Sequence, residues 1–515
     1  MSLNPTLASS LANIVGADHV LTDPAACDLA SSDLFVWPER QRAEIVVRPG
    51  NVQELAAVMK ALHDSSTPVV PRGAGMSYTG GVVPSVPAVV LDLTRLDAIA
   101  IHADDQYAVV GAGCTWEALV AALKPHHLRA VQPNPISGSV STVGGAASQN
   151  IPGGMQGIVG LTVVLADGTI ARTGSGAIHD RARGQRNAGP DLTGLFLGDC
   201  GAFGVKAEVV LRLAPEHPAA FASFAYDDAD ALLVDMARLL RDGLVTRAFS
   251  MDQAKTQSAT SVGVQEAAGI VGAVVRNAGS VTQAVRDVAQ LAMSKRALGA
   301  ATWSLHCVVE APNQALADEQ LLLAKRVCAK GAKEIDNVLP KTLRAKPYSI
   351  RGFVGPAGER WVPIHGIIPL SRARACMAAL QGHFTSHEKA LSKLGITHTW
   401  MISSMGAYLT IEPMLYWPDA LDSIHLHNLS DRNRARFDHF TPNPAARDCV
   451  RTLRSELCEI MDQHDAIHAQ IGRFYPYADR MDAGSRELLQ RIKHALDPNE
   501  TMNPGALLPQ SRNLT

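Results

Sequence analysis

The sequence has 515 residues, of which 47% are hydrophobic and 19% are charged. These proportions exclude a disordered or collagen-like chain, and the length predicts about three to four structural units or two large ones. The 47 basic residues are balanced by 49 acidic ones, so the chain lacks the basic excess on which nucleic-acid binding depends.

Targeting and covalent cross-links leave no signature in the sequence. Segment 1–23 has neither the cationic start nor the continuous apolar run of a signal peptide. The stretch 395–417 contains His398 and Glu412 and is better explained by buried strands than by a membrane span. The eight cysteines form no C-x-x-C pair and no metal-ligand spacing. We therefore expect a cytoplasmic protein with no transmembrane segment, no disulfide framework and no metal site.

The first 217 residues alternate short strand patterns with helical patterns and small-residue loops. Strands are predicted at 42–48, 68–71, 88–93 and 107–111, and helices at 51–63 and 116–124. The stretch 131–160 is too rich in glycine for a helix and is predicted to be an ordered loop. Segments 160–166 and 169–173 are joined by Asp167-Gly168, which is typical of a hairpin.

The region after residue 218 alternates longer helices with strands, which predicts an α+β domain with an antiparallel sheet flanked by helices. The predicted helices are 229–241, 281–298, 313–330, 372–393, 447–465 and 485–496, and the predicted strands are 303–309, 362–370 and 407–416. The charged run 430–439 is expected to be a solvated loop, and His425 and His427 to lie on a strand or loop without a third metal ligand.

The loop PRGAGMSYTGG, residues 71–81, is the strongest local signal. Gly73 and Gly75 follow a strand, and Asp92 ends the next strand about twenty residues later, as in a dinucleotide-binding βαβ unit. That interpretation requires a crossover helix between the two strands.

Three residues argue against the dinucleotide-binding interpretation. Tyr78 stands where the third glycine belongs, and Pro84 and Pro87 would break a helix between the strands. A glycine-rich loop between two strands remains, whose N–H groups can form a nest for a pyrophosphate; the alternative is a solvent-exposed turn. Two further small-residue loops, 137–145 and 198–205, favour one long anionic ligand held by all three.

The segments 71–81, 135–150 and 189–205, with the closing LDPNETMNPGALLP of 496–509, resemble the vanillyl-alcohol oxidase / para-cresol methylhydroxylase superfamily. This superfamily includes D-lactate and glycolate dehydrogenases. The resemblance implies an α+β fold with a two-part FAD-binding domain of the para-cresol methylhydroxylase type and a substrate (cap) domain. The implied domains are a helical lead-in at 1–39, the FAD-binding domain at 40–217, the cap domain at 218–465 and a segment returning to the FAD domain at 466–515.

FAD is the cofactor that the resemblance implies. The first loop would hold the pyrophosphate, the second the flavin ring and ribityl chain, the third the adenosine side, and Asn503 the ring edge. The residues so implied are Pro71, Arg72, Gly73, Ala74, Gly75, Met76, Ser77, Thr79, Gly80, Pro135, Ser137, Gly138, Ser139, Thr142, Gly144, Gly145, Ser148, Gln149, Asn150, Gly201, Gly204, Val205 and Asn503.

The resemblance also bears on how the flavin is attached. Many members carry a histidine in the first loop that bonds covalently to the flavin, and this chain has Met76 there. Other members attach it from the cap domain, where Tyr408 lies in the corresponding strand. Non-covalent FAD is therefore expected, with covalent attachment through Tyr408 as the alternative.

The phenol-oxidising branch of the family uses a tyrosine in the first loop and a tyrosine followed by arginine near the C-terminus. Tyr78 falls at the first position and Tyr475 near the second, although Phe474 fits if the register shifts by one. Pro476 occupies the arginine position, and Arg473 is the neighbouring candidate to replace it. Capping of the loop by Tyr78 and packing of Tyr475 at a domain junction are the structural alternatives.

The hydroxy-acid branch often carries a cap-domain metal motif, H-x-G-D-G-N-x-H, which the stretch 468–477 lacks. The acidic residue that the phenol branch places near flavin N5 is also absent, with Ser148 in its position. Glu412 and His365 lie in apolar strand-like runs, where a carboxylate is costly to bury without a partner. Glu412 is therefore a candidate catalytic residue, and His365 is either its partner, a general base or a core histidine.

The predicted function is FAD-dependent oxidation of a small alcohol or alkylphenol, with hydride transfer to flavin N5 and phenolic or aryl-alcohol substrates favoured. The alternatives are a D-2-hydroxy-acid dehydrogenase without a metal and a non-catalytic flavin-binding redox subunit. A small-molecule substrate is implied. Oxygen, a cytochrome or a quinone is the electron acceptor, and both a monomer and a homo-oligomer stay open.

Overall fold

The computed structural model describes residues 5–131, 135–151, 156–180, 182–260, 301–348 and 353–508. The chain divides into two compact units. The first comprises 1–216, 421–435 and 468–515, and the second comprises 217–420 and 436–467. The predicted boundaries near 217 and 465 lie close to these limits, and the roles given to the segments stay predictions. The predicted helix 281–298 lies outside the described residues.

The described elements are numbered in chain order. The strands are β1 (Val20–Leu21), β2 (Ile45–Val47), β3 (Val69–Arg72), β4 (Val89–Asp92), β5 (Ile99–His102), β6 (Tyr107–Gly111), β7 (Leu128–Ala130), β8 (Ile158–Val164), β9 (Ile170–Arg172), β10 (Val205–Pro215), β11 (Ala219–Tyr226), β12 (Arg247–Asp252), β13 (Trp303–Glu310), β14 (Lys333–Ile335), β15 (Arg360–Pro363), β16 (Gly366–Pro369), β17 (Thr397–Met405) and β18 (Tyr408–Trp417).

The helices follow the same order. They are α1 (Pro5–Val15), α2 (Pro24–Ala30), α3 (Val52–Asp64), α4 (Trp116–Leu123), α5 (Val143–Gln149), α6 (Leu192–Leu195), α7 (Ala229–Arg241), α8 (Gln253–Thr260), α9 (Gln314–Cys328), α10 (Val338–Ala345), α11 (Ala373–Lys393), α12 (Ser423–Asn428), α13 (Asp431–Phe437), α14 (Pro444–Asp462), α15 (Tyr477–Arg480) and α16 (Ala483–Leu496).

The first unit contains two sheets. A four-stranded sheet has the order β1-β2-β4-β3, in which β2 and β3 run parallel to β4. A second sheet, β5-β6-β10-β8-β9, is antiparallel, and β7 also pairs with β10. Helices α1 and α3 pack on the first sheet through Leu11 and Leu55, because a parallel sheet needs its faces covered. Met502 joins this core, and Val69 pairs with it, so the C-terminal residues return to the first sheet.

The predicted helix at 51–63 is confirmed, and its start has a clear physical cause. The Asn51 side chain accepts a hydrogen bond from Glu54 N at 2.8 Å, and the Glu54 carboxylate accepts one from Gly50 N at 2.7 Å. This reciprocal arrangement satisfies two N–H groups at the helix end. The predicted hairpin across Asp167-Gly168 is also confirmed, since β8 and β9 pair antiparallel.

The prediction of an ordered loop throughout 131–160 was wrong, because α5 lies inside it. Thr142 caps this helix, and its hydroxyl accepts from Gly145 N at 3.2 Å. A Cβ on Gly144 would lie 2.4 Å from the Cβ of Ala112. The glycines therefore permit close packing of a helix rather than loop freedom, and composition alone does not distinguish these uses.

The second unit contains an eight-stranded antiparallel sheet with the order β14-β11-β13-β12-β17-β18-β15, and β16 also pairs with β18. The predicted α+β class with an antiparallel sheet and flanking helices is confirmed. The single strand predicted at 362–370 is divided at Ile364 and His365 into β15 and β16.

Two smaller predictions were wrong. The charged run 430–439 contains α13, whose Phe437 is buried. One buried aromatic side chain packs this helix against the protein, and the many charged residues around it made the segment look like a loop in the sequence. His425 and His427 lie on helix α12 instead of a strand or loop.

Candidate functional site

The three glycine-rich loops meet around one cavity in the first unit. The empty space that it encloses, including the part open to solvent, is about 450 Å³. All three loops contribute to its wall. The lining residues are Pro71, Arg72, Gly73, Val82, Leu93, Ala112, Thr142, Gly144, Gly145, Ser148, Gln149, Cys200, Gly201, Gly204 and Lys206.

Glycine is required where the loops approach one another. A Cβ on Gly73 would lie 2.2 Å from the hydroxyl oxygen of Thr142, so the first and second loops touch at this point. A Cβ on Gly201 would lie 2.9 Å from Pro71, and Gly201 has a φ of +75°. The first and third loops therefore touch as well, in a conformation that L side chains avoid.

Arg72 passes beneath the first loop and is almost fully buried. Its Nη1 donates to the carbonyl of Ser32 at 2.5 Å, and burial lowers the pKa of its guanidinium to about 10. Gly75 has a φ of +75°, and a Cβ there would lie 2.0 Å from Nη2 of Arg72. The loop thus closes over a buried cation beside the cavity.

Asp33 holds the other end of this loop, and no sequence motif points to it. Its carboxylate accepts from Gly80 N at 2.8 Å, from Phe35 N at 2.9 Å and from Trp37 Nε1 at 2.9 Å. Asp33 is fully buried. A buried carboxylate with several N–H donors stabilises one loop conformation, because moving the loop would leave the charge unpaired.

Asn503 joins the C-terminal segment to two of the loops. Its Nδ2 donates to the carbonyls of Gly81 at 2.7 Å and Cys200 at 2.6 Å, and its Oδ1 accepts from Arg473 at 2.9 Å. The other contacts of the Arg473 Nη atoms are with the carbonyls of Gly80, Val83 and Pro504. These two side chains therefore bind backbone segments to one another.

A buried ion pair between Lys206 and Asp199 lies at the third loop, and sequence reasoning missed it. Both side chains are 1% exposed and in direct contact. The Asp199 carboxylate also accepts from the N–H groups of Gly201 at 2.9 Å and Phe203 at 3.2 Å. Lys206 lines the cavity. The feature of the sequence that could have indicated this ion pair is a charged residue in the apolar start of a strand.

Cys200 is a further lining residue that the sequence did not single out as a site. It is fully buried, and burial raises the pKa of its thiol to about 11. Gly472 N donates to its sulfur at 3.3 Å. The thiol is therefore neutral near pH 7 and acts as a small packing group.

The remaining predicted FAD residues are not among the residues that line the cavity. Ser77, Thr79, Gly80 and Val205 are buried, and Asn150 ends α5 with a left-handed φ of +49°. The other predicted residues that do not line the cavity are Ala74, Gly75, Met76, Pro135, Ser137, Gly138, Ser139 and Asn503.

The predicted catalytic tyrosines are both buried in the first unit, and neither lines this cavity. The ring of Tyr475 stacks on that of His468, with centroids 4.2 Å apart and planes inclined by 12°. Phe474 packs edge-on against Tyr475 at 4.8 Å.

His365 and Glu412 form a buried pair in the second unit. Nε2 of His365 lies 3.4 Å from Oε1 of Glu412. Glu412 is on β18, where it pairs with Met401 of β17, and His365 directly precedes β16. The break between β15 and β16 brings the imidazole to the carboxylate. Sequence periodicity predicted one continuous strand here and therefore did not predict this break.

Comparison with known proteins identifies the domain. A family model described as an FAD binding domain matches residues 43–174. Residues 43–174 therefore form an FAD-binding domain. FAD is its cofactor, and the glycine-lined wall fits a ligand whose phosphates approach the main chain closely.

Its sequence relatives include D-lactate dehydrogenase of Archaeoglobus fulgidus, which is 31% identical over 35% of this chain and 41% of that protein. They also include glycolate oxidase subunit GlcD of Bacillus subtilis, which is 32% identical over 34% of this chain and 37% of that protein. The match therefore spans about two fifths of the length of these relatives.

Solved structures show the fold over nearly the whole chain. p-Cresol methylhydroxylase with substrate bound has a TM-score of 0.71 at 16% identity, covering 97% of this chain and 96% of that one. 4-Ethylphenol oxidase from Gulosibacter chungangensis has a TM-score of 0.72 at 16% identity, covering 99% and 98%. Among the described residues, no helix combines the length and apolar character needed to cross a membrane.

Proposed function

We propose that the protein is an FAD-dependent oxidoreductase that oxidises a small alcohol or alkylphenol. The convergence of three glycine-rich loops on one cavity carries this proposal, together with the matched FAD-binding domain. The bound flavin supplies the capacity to accept a hydride equivalent, and the protein must hold the cofactor, orient the substrate carbon and manage charge on oxygen.

Arg473 acts, in this proposal, as a positioning residue. Its Nη atoms donate to three carbonyls and to Asn503, so they are already engaged within the first unit. The sequence suggested that Arg473 would replace a family arginine at the substrate. Its contacts instead support a role in joining the first loop to the C-terminal segment.

We propose Tyr78 of the first unit as a substrate-contacting residue and, separately, the His365–Glu412 pair of the second unit as a proton acceptor. A phenol O–H can donate to a substrate oxygen, and a buried carboxylate beside an imidazole is a suitable proton acceptor. Replacing Tyr78 by Phe is expected to slow flavin reduction without loss of FAD. An unchanged rate would remove the role of Tyr78.

Phenolic and aryl alcohols are the first substrate class to test, because Tyr78 occupies the loop position used by the phenol-oxidising branch. D-2-hydroxy acids are the second, because the sequence relatives are named D-lactate dehydrogenase and glycolate oxidase subunit. We also propose non-covalent FAD, since Met76 replaces the linking histidine. Acid precipitation that retains flavin in the pellet would instead support attachment through Tyr408.

The deciding experiment mixes purified FAD-loaded protein anaerobically with para-alkylphenols, aryl alcohols and D-2-hydroxy acids in separate reactions. Loss of oxidised-flavin absorbance identifies the substrate class, and turnover with an artificial electron acceptor measures catalysis. Bleaching with the first two classes supports the leading proposal, and bleaching with hydroxy acids alone supports the second. Protein that binds FAD but is reduced by no substrate would support a non-catalytic redox subunit.

A further inference from the structure

Helices α11 and α14 bring two histidines and one carboxylate together in the second unit. His383 and His387 are four residues apart on α11, so they share one face of the helix. Glu456 faces them from α14. Nε2 of His383 lies 2.9 Å from Oε2 of Glu456, and Nε2 of His387 lies 3.8 Å from the same oxygen. One ligand atom from each residue lies within 4.8 Å of the others.

The backbone of α11 orients the second imidazole. Nδ1 of His387 lies 3.0 Å from the carbonyl oxygen of His383 and 3.0 Å from the hydroxyl of Ser386. When Nδ1–H donates to that carbonyl, the lone pair of Nε2 is directed away from the backbone. A hydrogen bond of this kind from the other ring nitrogen is the usual support of a metal-binding histidine.

We propose that His383, His387 and Glu456 form a binding site for a divalent transition metal, with Zn²⁺ as the ion that fits best. Two histidines and one glutamate are a recurrent zinc ligand set, and histidines at i and i+4 on a helix are one of its sequence forms. Tetrahedral ligands about 2.0–2.1 Å from zinc are about 3.3 Å apart. The distances from Oε2 of Glu456 to Nε2 of His383 and to Nε2 of His387, 2.9 Å and 3.8 Å, lie on either side of this value.

The site has room for a solvent ligand. The His387 side chain is 36% exposed and that of Glu456 is 37% exposed, whereas His383 is 19% exposed. Three protein ligands would therefore leave one coordination position to water. No ligand of this site belongs to the unit that contains the FAD cavity, so the inference is independent of the proposed oxidation.

A metal here would join two helices across a long stretch of sequence. Without it, the two helices are joined here by the partly exposed His383–Glu456 hydrogen bond. With it, folded protein alone presents all three ligands, so zinc raises the unfolding temperature by mass action. The sequence-based expectation of no metal did not consider this pair of histidines, because the third ligand lies on another helix.

The test uses FAD-loaded full-length protein, stripped with a chelator and then titrated with ZnCl₂ by calorimetry and by thermal unfolding. Wild type is expected to bind one zinc ion at this site and to unfold at a higher temperature. His383→Ala and Glu456→Gln are expected to weaken zinc binding by about 100-fold or more and to abolish the thermal shift. His494→Ala, at the exposed end of α16, is the matched control and should bind like wild type.

Cobalt provides a second readout, because its spectrum distinguishes binding by histidine and carboxylate from binding by the thiols that the chain also contains. Co²⁺ bound by histidine and carboxylate gives visible d–d bands without the intense near-ultraviolet charge transfer of thiolate ligation. Charge-transfer bands that persist in both variants would overturn the assignment. So would zinc binding that neither substitution changes, and so would the absence of zinc binding in wild type. Circular dichroism of each variant distinguishes loss of ligand from loss of fold, and Glu456→Gln keeps the size of the side chain.

Discussion

Arg473 donates from Nη2 to the side-chain oxygen of Asn503 at 2.9 Å, and each of these residues binds a different set of backbone carbonyls. Arg473 engages Gly80 and Val83, whereas Asn503 engages Gly81 and Cys200. The pair therefore connects the first loop, the third loop and the C-terminal segment. Because the carbonyls are buried, losing a donor leaves acceptors without partners.

Asn503→Ala is expected to lower the free energy of unfolding by about 2–3 kcal/mol and to weaken FAD binding, since two buried carbonyls lose their donor. Urea unfolding and FAD titration measure the two effects. In a double-mutant cycle with Arg473→Ala, the residues should couple by about 1–3 kcal/mol. Asn428→Ala is the control, because its amide donates to the local carbonyl of Ile424. Additive effects would contradict the link.

Gly73→Ala is expected to reduce FAD affinity strongly, because its Cβ would lie 2.2 Å from the Thr142 hydroxyl. The loops must separate to accept the methyl group. Thr142→Ala on this background removes the oxygen and should restore part of the affinity, although it also removes the cap of α5 at a cost of about 1 kcal/mol. Gly382→Ala, on α11 with open space around it, should leave FAD binding unchanged.

Removing one member of the buried Lys206–Asp199 pair should lower the free energy of unfolding more than removing both. Lys206→Met leaves an unpaired carboxylate, which is expected to lower the free energy of unfolding by about 3–5 kcal/mol. The double variant Lys206→Met with Asp199→Asn should be less destabilised because no buried charge remains. Chemical denaturation of wild type, Lys206→Met and the double variant measures this, and equal losses in the single and the double variant would contradict it.

The thiol of Cys200 is expected to resist alkylation in the folded protein. Because its pKa is raised to about 11, the fraction of reactive thiolate rises about tenfold per pH unit until that value. Cys449 is less buried and should be labelled first with iodoacetamide at pH 8. Peptide mass spectrometry measures both sites. Equal labelling of Cys200 and Cys449 in native protein would show that Cys200 is accessible.

The same shift predicts a loss of stability at alkaline pH. The unfolded thiol loses its proton near its ordinary pKa of 9.0, whereas the folded thiol keeps it to about 11. Between these values the folded state binds more protons, so the Cys200 contribution to the free energy of unfolding falls as pH rises. Cys200→Ala should remove this contribution to the slope, which urea unfolding at pH 8.5 and pH 10.5 would measure.

Glu412→Gln is expected to slow substrate-driven flavin reduction by about 10²–10⁴-fold, because the His365–Glu412 pair is the proposed proton acceptor. Stopped-flow measurement of flavin absorbance gives the rate, and FAD content shows whether the site is intact. Glu459→Gln, an exposed residue of the same unit, is the control. A rate like wild type in Glu412→Gln would leave the carboxylate with a structural role alone.

Local pattern predicted the helix that begins after Asn51 and the hairpin at Asp167-Gly168, because caps and turns depend on neighbouring residues. It failed for α5, since glycines that permit close packing look like glycines that permit a turn. It also failed for α13, where one buried aromatic outweighs a run of charges.

The sequence by itself indicated a long anionic ligand, because pyrophosphate binding needs small residues in short continuous loops such as those of Gly73, Gly144 and Gly201, and its resemblance to a known family implied that this ligand is FAD. Only the tertiary structure decided which distant side chains support those loops and which meet elsewhere. Asp33 and Gly80, Arg473 and Asn503, and His383 and Glu456 are each joined by contacts that no local spacing encodes. Hydrogen bonds and ion pairs act over a few ångströms in space, and the fold alone sets which residues come that close.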